Sequence, residues 1–381
     1  MKTIYLHGSP DLYGSGKVLL EILRIPGNAE QAIVVLPHQG PLCKKIIELN
    51  IPLYILNMGV LRRKYLTPWG IVGRLILWII AVWKIKRIIE KHQTQCIYVN
   101  SLNVTIGPWL KLFTSKRLVW HLHEIIEEPK LLFWALQRMI KKADKLIAVS
   151  KAVQQHWSNP KLSTPIHVLY NGFSTPISTS SEVSISNLKE SITIGMVGRI
   201  QPIKGHSYLL DIFQELIKDP GFKNPANLQL ILAGDPYPGY EHLQIQLMEA
   251  IKKKKLGEFV NYIGYQENIA ALLENIDLLI VPSIKPDSLP TVVIEAMYAG
   301  KPVVATHQGG CIEMIEENKT GFFIPLNDPI QSSKILQSII ADKLELKQVG
   351  DAGKKRAEQL FSIQSFQHGW LGIMNGLIQS G

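Results

Sequence analysis

The feature that most constrains the fold is a series of short, almost unbroken apolar runs rich in Val, Ile and Leu. In the first half these runs lie at 3–8, 32–37, 51–56, 95–100, 117–123, 145–150 and 166–171. In the second half they lie at 192–198, 228–234, 260–265, 276–283 and 302–306. Such runs are typical of parallel strands buried on both faces. Helical patterns, for example at 17–25 and 207–217, separate many of them, so the sequence predicts an α/β fold with doubly wound parallel sheets.

A change of composition in the middle divides the two series. Half of the residues in 174–191 are Ser or Thr, which is typical of a linker. We therefore expect an N-terminal Rossmann-like unit over 1–173 and a C-terminal one over 192–361. Because ligands bind at the carboxyl ends of the strands in such sheets, we expect the two units to face each other across a cleft that holds the site.

Length and composition agree with a globular protein of this size. The chain has 381 residues, of which 46% are hydrophobic and 19% charged, which excludes a disordered chain. Three widely spaced cysteines exclude a disulfide scaffold and offer no CxxC metal spacing. The first residues lack the apolar core of a secretory signal, so we expect a cytoplasmic protein.

The net charge of +10 is concentrated in the first half of the chain. Residues 1–180 hold 23 Lys and Arg against 9 Asp and Glu, a net of +14, whereas residues 181–381 hold 18 against 22, a net of −4. The first half is therefore expected to bind an anionic partner: phospholipid, a phosphorylated acceptor or nucleic acid.

The segment 60–91 combines basic and aromatic residues. It holds eight basic residues against one acid, and its apolar centre at 71–83 is too short to span a membrane. Such a pattern favours a helix lying in the membrane interface, although a core helix with a solvated basic face has a similar pattern. The residues expected to contact the membrane are Arg62, Arg63, Trp78, Trp83, Lys84, Lys86 and Arg87.

Two cations follow the first strand of the second half. Arg199 and Lys204 lie in the loop between the strand 192–198 and the next helix. A strand end, Gly198 and a helix start place backbone N–H groups where an anion is bound. By themselves, the two side chains are equally consistent with solvated loop cations.

Two carboxylates and a glycine pair follow further along. Asp287 and Glu295 are eight residues apart, and Glu295 is expected to open a helix over 295–300. The strand 302–306 is followed by Gly309 and Gly310, where backbone approaches a phosphate closely. Two cations, two carboxylates and a glycine pair together suit a sugar nucleotide.

These pieces resemble the donor half of the retaining GT-B glycosyltransferases of family 4. GMVGR…KG (195–205), LILAGD (230–235), VNYIGY (260–265), an E-x7-E-like element and PVVAT…GG (302–310) occur in the order of that family. The first half is also similar, with GSPDLYGSGK (8–17), VWHLHE (119–124), IAVS (147–150) and LYNG (169–172). The resemblance covers nearly the whole chain, and its ordered set of motifs is more specific than any single one.

The resemblance implies roles for individual residues. Arg199 and Lys204 would hold the donor diphosphate, and Glu295 would bind the ribose hydroxyls. Asp287, implied at the donor sugar, stands where the family usually has Glu; it keeps the charge but is shorter by one methylene group. The remaining donor contacts implied are the loop residues Gly14 and Gly16, the backbone of Thr291 and Val292, and Tyr265 near the base.

The resemblance also implies a histidine at a strand end. His121 and His123 both qualify, and in a strand they point to the same face. The family's histidine ends its strand before an acid or loop residue, which favours His123, followed by Glu124. His121 fits better as a core histidine.

The implied reaction retains anomeric configuration and needs no cofactor. The leaving diphosphate develops negative charge, which preorganised cations stabilise in the transition state. The chain lacks the D-x-D motif with which many nucleotide-sugar enzymes bind a metal. We therefore expect Arg199, Lys204 and backbone amides to take the place of a metal ion.

Other functions are less consistent with the sequence. The GSGK at 14–17 is not a Walker A motif, because Asp11 and Val18 stand where Gly and Ser or Thr are required. No G-x-S-x-G of a serine hydrolase occurs. The alternatives left are a GT-B sugar-nucleotide epimerase and a non-catalytic homologue that binds membrane or nucleic acid.

The expected partners follow from the resemblance and the charge. The layout is similar to bacterial transferases of capsule, exopolysaccharide and lipopolysaccharide assembly. An acceptor carried on polyprenyl diphosphate would suit the basic, Trp-bearing segment, so we expect a peripheral protein on the inner face of the plasma membrane that does not bind nucleic acid. The donor base, uridine or guanosine, stays open. In this fold the last helix, here 362–381, returns to the first unit.

Overall fold

The chain folds into two compact units. The computed structural model describes residues 1–61, 65, 67–173, 191–222, 225–237 and 239–379. One unit comprises Met1–Phe173 and Ile363–Gly381, and the other comprises Ser174–Ser362. Most of the expected linker (174–190), together with Arg62 and Arg63, lies outside the described residues.

The first unit is built on a seven-stranded parallel sheet in the order β3-β2-β1-β4-β5-β6-β7. Its strands are β1 (Thr3–Leu6), β2 (Ala32–Leu36), β3 (Leu53–Ile55), β4 (Cys96–Val99), β5 (Arg117–Leu122), β6 (Lys145–Ala148) and β7 (Ile166–Val168). Its helices are α1 (Gly14–Leu23), α2 (Pro41–Glu48), α3 (Pro68–His92), α4 (Gly107–Thr114), α5 (Lys130–Ile140) and α6 (Lys151–Trp157).

The second unit is built on a six-stranded parallel sheet in the order β10-β9-β8-β11-β12-β13. Its strands are β8 (Ile192–Val197), β9 (Leu228–Ala233), β10 (Val260–Gly264), β11 (Leu278–Val281), β12 (Val303–Thr306) and β13 (Phe322–Ile324). Its helices are α7 (His206–Lys218), α8 (His242–Lys253), α9 (Ile269–Glu274), α10 (Thr291–Tyr298), α11 (Cys311–Met314), α12 (Pro329–Ala341) and α13 (Lys343–Leu360).

Two Rossmann-like parallel sheets confirm the predicted fold class. Every apolar run that predicted a strand contains one, because a run buried on both faces needs no polar alternation. The strand missed is β13, three residues between Gly321 and Pro325. In each sheet the strand order reverses beside the first strand, between β1 and β4 and between β8 and β11, so loops from neighbouring strands separate there and leave room for a ligand.

The final helix, α14 (Ile363–Gln379), packs on the first unit. Phe366, Trp370, Met374 and Leu377 are spaced three or four residues apart and are buried in the core formed by β1, β4 and α1. The ring of Trp370 lies 6.4 Å from that of Tyr98 on β4. The helix thus covers one face of the first sheet.

Loss of the Trp370 side chain is expected to destabilise the first unit. Trp370→Ala leaves a cavity in the core, and such a change lowers the free energy of unfolding by about 3–5 kcal/mol. Calorimetric unfolding should show the transition of this unit at a lower temperature. Leu371→Ala, on the exposed side of the same turn, is the matched control and should shift it little. Equal shifts for the two variants would contradict the packing of α14 described above.

Candidate functional site

The loop after β8 places Lys204 at the point where the second sheet reverses its strand order. Lys204 ends a short 3₁₀ turn over Pro202–Lys204, and α7 begins two residues later. Gly205 between them has φ +78°, and a Cβ there would lie 1.8 Å from the carbonyl oxygen of Pro282. Only glycine permits this approach, which brings the loop after β8 against the loop after β11.

The loop after β11 supplies the partner of Lys204. The ammonium Nζ of Lys204 forms an ion pair with the Oδ2 carboxylate oxygen of Asp287. Burial, the largest single effect, lowers the pKa of Lys204. The charge and hydrogen bond of Asp287, with smaller contributions from Cys311 and Tyr237, raise it, and together they bring the pKa above the usual value. The Lys204 side chain is 26% exposed, and it stays a cation throughout the neutral range.

The glycine pair holds the backbone of Asp287. The N–H of Gly310 donates to the carbonyl oxygen of Asp287 at 2.8 Å. Gly309 has φ +59°, and a Cβ there would lie 2.3 Å from the same oxygen. The glycine pair therefore packs against the backbone of the Asp287 loop.

Helix α10 begins earlier than the sequence indicated. It starts at Thr291, directly after Pro290, so Thr291 and Val292 occupy its first two positions, where backbone N–H groups have no partner within the helix. Glu295 is the fifth residue and does not open the helix, so this expectation was wrong. Pro290, which occupies the N-cap position immediately before the helix, is the signal that was missed.

Arg199 is oriented by an aromatic ring that the sequence did not indicate. Its side chain is 8% exposed, and its guanidinium carbon lies 3.6 Å above the centre of the Tyr237 ring. Tyr237 comes from the loop after β9, the neighbouring strand. No motif marked Tyr237, because a stacking partner depends on the fold and has no sequence spacing of its own.

Tyr265 lies further along the same edge. It follows β10, the outermost strand of the second sheet, and its side chain is 49% exposed. On β10 itself, the hydroxyl of Tyr262 donates to the Oδ1 oxygen of Asp235, which follows β9, at 2.8 Å. The structure thus joins Lys204 to Asp287 and stacks Arg199, from the same loop as Lys204, on Tyr237. Tyr265 follows the strand at the outer edge of the sheet, two strands away from β8.

In the first unit, a hydrogen-bonded chain crosses the corresponding point of the sheet. Asn100, which follows β4, accepts from the ring nitrogen Nε2 of His123 at 3.0 Å. Its amide nitrogen donates to the carbonyl oxygen of Ser15 at 2.9 Å and contacts the Nδ1 atom of His7 at 3.2 Å. His123 at the end of β5 is thereby connected to the glycine-rich loop before and within α1.

His121 and His123 have different surroundings. His121 is fully buried, and its Nδ1 atom contacts the Tyr98 hydroxyl at 3.0 Å. His123 is 8% exposed and lies one residue beyond the end of β5. Burial lowers the pKa of His123, and the nearby His121 and His7 lower it further, so its imidazole is neutral at physiological pH. His123 thus keeps a small exposed fraction at the carboxyl end of β5, whereas His121 is enclosed in the core.

Glu124 and Gly16 have supporting roles next to this chain. Glu124 accepts from the hydroxyl of Ser101 at 2.5 Å and from the N–H of Leu102 at 3.0 Å, which ties the β5 loop to the β4 loop. A Cβ at Gly16 would lie 2.1 Å from the carbonyl oxygen of Asp11, so the loop can fold over the start of α1 only with glycine there. Gly14 is the first residue of α1.

Residues 68–91 of the basic segment lie in α3, one side of which is apolar and open to solvent. Trp83 is 60% exposed, and Ile76 and Ile79 are similarly exposed. Trp78 instead lies edge-on to Trp109 of α4, at 6.0 Å between ring centres. Lys84 and Arg87 are exposed, and Lys86 lies over the Trp83 ring. Among the helices of the described ranges, none has the length and apolarity needed to cross a membrane.

Comparison with known families gives two matches that together span most of the chain. The model of "Glycosyl transferases group 1" matches residues 180–356. The model of "Glycosyltransferase Family 4" matches residues 33–175. The two matches correspond to the second and the first unit.

Individual proteins that resemble this chain share about a quarter of its residues over the matched region. The lipopolysaccharide 1,2-N-acetylglucosaminetransferase of Salmonella typhimurium is 27% identical over 66% of this chain, which spans a little under two thirds (65%) of that enzyme. A Campylobacter jejuni N-acetylgalactosaminyltransferase named for an undecaprenol-linked glycan is 26% identical over 74% of this chain and 76% of its own. The solved structure of Anabaena HepE with UDP-glucose has a TM-score of 0.83 at 24% identity, covering 100% of each chain.

Buried histidines are expected to make stability depend on pH. Burial lowers the pKa of His206 to about 4, with a further contribution from Lys204, whereas an unfolded histidine titrates near 6.5. Between these values the unfolded chain binds the extra proton. The free energy of unfolding therefore has its full value above pH 6.5 and decreases toward pH 4. For one such histidine the decrease is up to about 1.4 kcal/mol per pH unit.

Chemical denaturation at pH 5 and pH 7 measures this dependence. His206→Gln should reduce the loss of stability between the two values for the second unit. His242→Gln replaces an exposed histidine of the same unit and is the matched control. An unchanged loss in His206→Gln would contradict the assignment.

Proposed function

Because this chain belongs to the family 4, group 1 glycosyltransferases, we propose that it transfers a sugar from a nucleotide-diphosphate sugar to a glycan or lipid-linked saccharide in cell-surface polysaccharide assembly. The fold is GT-B, with two Rossmann-like units. The observation that carries the proposal is the convergence of Lys204, Arg199 and the glycine pair at the reversal point of the second sheet. Backbone amides and partly buried cations at such a point are suited to an anionic ligand.

The donor in this proposal is a UDP-sugar, with a GDP-sugar as the alternative. Lys204 and Arg199 hold the diphosphate, and the N–H groups of Thr291 and Val292 point along the start of α10 toward it. Glu295 binds the ribose, and Tyr265 lies toward the base. Support for uridine comes from HepE, whose structures contain UDP and UDP-glucose.

The proposed reaction retains the anomeric configuration and does not use a metal ion. The bond between the anomeric carbon and the diphosphate oxygen breaks as a bond to the acceptor oxygen forms on the same face. The acceptor proton passes to the leaving diphosphate. In this proposal Lys204 and Arg199 stabilise the charge that develops there, and the neutral imidazole of His123 hydrogen-bonds a sugar hydroxyl.

The proposed acceptor is a saccharide carried on polyprenyl diphosphate, at the cytoplasmic face of the membrane. The names of the Salmonella and Campylobacter relatives support a glycan acceptor, and the latter supports a polyprenol carrier. The exposed apolar side of α3, with Trp83 and the cations Lys84, Lys86 and Arg87, supports contact with an anionic bilayer. A sugar-nucleotide epimerase, by contrast, would need no such surface.

The transfer activity is tested by nucleotide release from UDP-, GDP-, ADP- and dTDP-sugars, with and without EDTA. Release from one donor should be insensitive to EDTA. Lys204→Ala should lower kcat about 10²- to 10³-fold, because a preorganised charge at the leaving group is lost. Lys218→Ala, at the exposed far end of α7, is the matched control and should retain full activity. EDTA-sensitive release, or an active Lys204→Ala variant, would contradict the proposed mechanism.

Membrane contact is tested by sedimentation with vesicles of phosphatidylglycerol and phosphatidylcholine. Replacing Lys84 and Arg87 by Gln should weaken binding about fivefold for each charge lost, because each cation near an anionic surface contributes about 1 kcal/mol. Lys354 and Lys355, two exposed cations of α13, replaced by Gln serve as the charge-matched control. Equal binding of both double variants would contradict membrane contact through α3.

A further inference from the structure

Both carboxylate oxygens of Asp287 have partners within the protein. The Oδ2 oxygen contacts the ammonium of Lys204, and the Oδ1 oxygen accepts from the N–H of Ser288 at 2.9 Å. The Asp287 side chain is only 19% exposed. Each oxygen of this carboxylate therefore has a hydrogen-bond or ion-pair partner within the protein itself.

The backbone beneath Asp287 cannot easily move away from Lys204. Its carbonyl oxygen accepts from Gly310, and Gly309 packs against it more closely than a Cβ would allow. On the other side, the N–H of Ile284 donates to the carbonyl oxygen of Ile203 at 2.9 Å, which ties the two loops. The distance between the two charged side chains is therefore set by the fold.

Lys204 is surrounded by further titratable groups from several elements. Asp287, Cys311 and Tyr237 favour its charged form, and the positive charge of Lys204 disfavours protonation of His206. Burial raises the pKa of the Cys311 thiol to about 12, so it carries no charge at neutral pH. Asp287 is thus the anion that compensates the charge of Lys204.

We infer that Asp287 is a positioning residue that acts through Lys204: it holds the ammonium in place without donor, and the donor diphosphate replaces it as the main counter-ion. This inference rests on the proposed function. If Asp287 acted by contacting the donor sugar, it would not affect the affinity for a nucleotide without sugar. Action through Lys204 changes that affinity. Since Asp287 and the diphosphate are both anionic and share one cation, Asp287 opposes binding of the diphosphate.

The inference predicts a specific effect on UDP binding. Asp287→Asn keeps the size of the side chain and its acceptor for Ser288 but removes the competing charge. Calorimetric titration at pH 7.5 should show UDP binding about fivefold tighter than in the wild type. The gain should shrink as the pH rises to 9.5, because Lys204 without its carboxylate loses its proton more readily, whereas the wild type should show no such loss.

The same substitution in a Lys204→Met variant distinguishes action through Lys204 from direct repulsion between Asp287 and the diphosphate. In Lys204→Met, adding Asp287→Asn should leave UDP affinity within about twofold. Glu317→Gln, at an exposed acid of the same unit, is the charge-matched control. Asp287→Ala is a second variant that should also bind UDP more tightly than the wild type. Thermal unfolding verifies that each variant is folded.

The outcomes distinguish this inference from the proposed function. Equal UDP affinity in the wild type and Asp287→Asn, with a change confined to UDP-sugars, would overturn the inference and favour a sugar contact. An effect that persists in Lys204→Met would also overturn it. If the wild type bound none of UDP, GDP, ADP and dTDP, the proposed function itself would fail, and the inference with it.

Discussion

The second unit depends on backbone segments that approach one another more closely than any side chain would permit. At Gly205 a Cβ would lie 1.8 Å from the carbonyl oxygen of Pro282, and at Gly309 it would lie 2.3 Å from that of Asp287. These approaches join the loops after β8, β11 and β12. As a result, Lys204 meets Asp287 at a fixed place, and amide groups of several loops share one edge of the sheet. The chemistry proposed for the site follows from this backbone arrangement.

Apart from the additional edge strand β7 of the first sheet, the two sheets have the same strand order, but different contacts connect the loops where that order reverses. In the second unit an ion pair between Lys204 and Asp287 connects the loops after β8 and β11. In the first unit the connection between the ends of β1 and β4 is neutral, through His7 and Asn100. A cationic edge suits a diphosphate, and a neutral hydrogen-bonding edge suits sugar hydroxyls. The difference agrees with a division of labour between donor phosphates and saccharide, which the proposed function requires.

Much of the fold was predictable because burial on both faces leaves a strong signal in the sequence. The short strand β13 was missed, since Phe322–Ile324 is too brief to stand out between Gly321 and Pro325. The loop that carries Arg199 and Lys204 was predictable because a strand, a glycine and a helix start are consecutive in the chain. Asn100 and Tyr237 were missed, because each acts across the sheet on a residue distant in sequence, and no local spacing records such a contact.

Hydrogen–deuterium exchange of the whole protein with and without UDP-sugar tests most directly whether the edge of the second sheet is the donor site. The account predicts slower exchange at 198–206, 286–295 and 308–311, the segments that carry Lys204, Asp287 and the glycine pair. Exchange on the opposite edge of that sheet should stay unchanged. Binding of the nucleotide sugar without protection in these three segments would contradict the account.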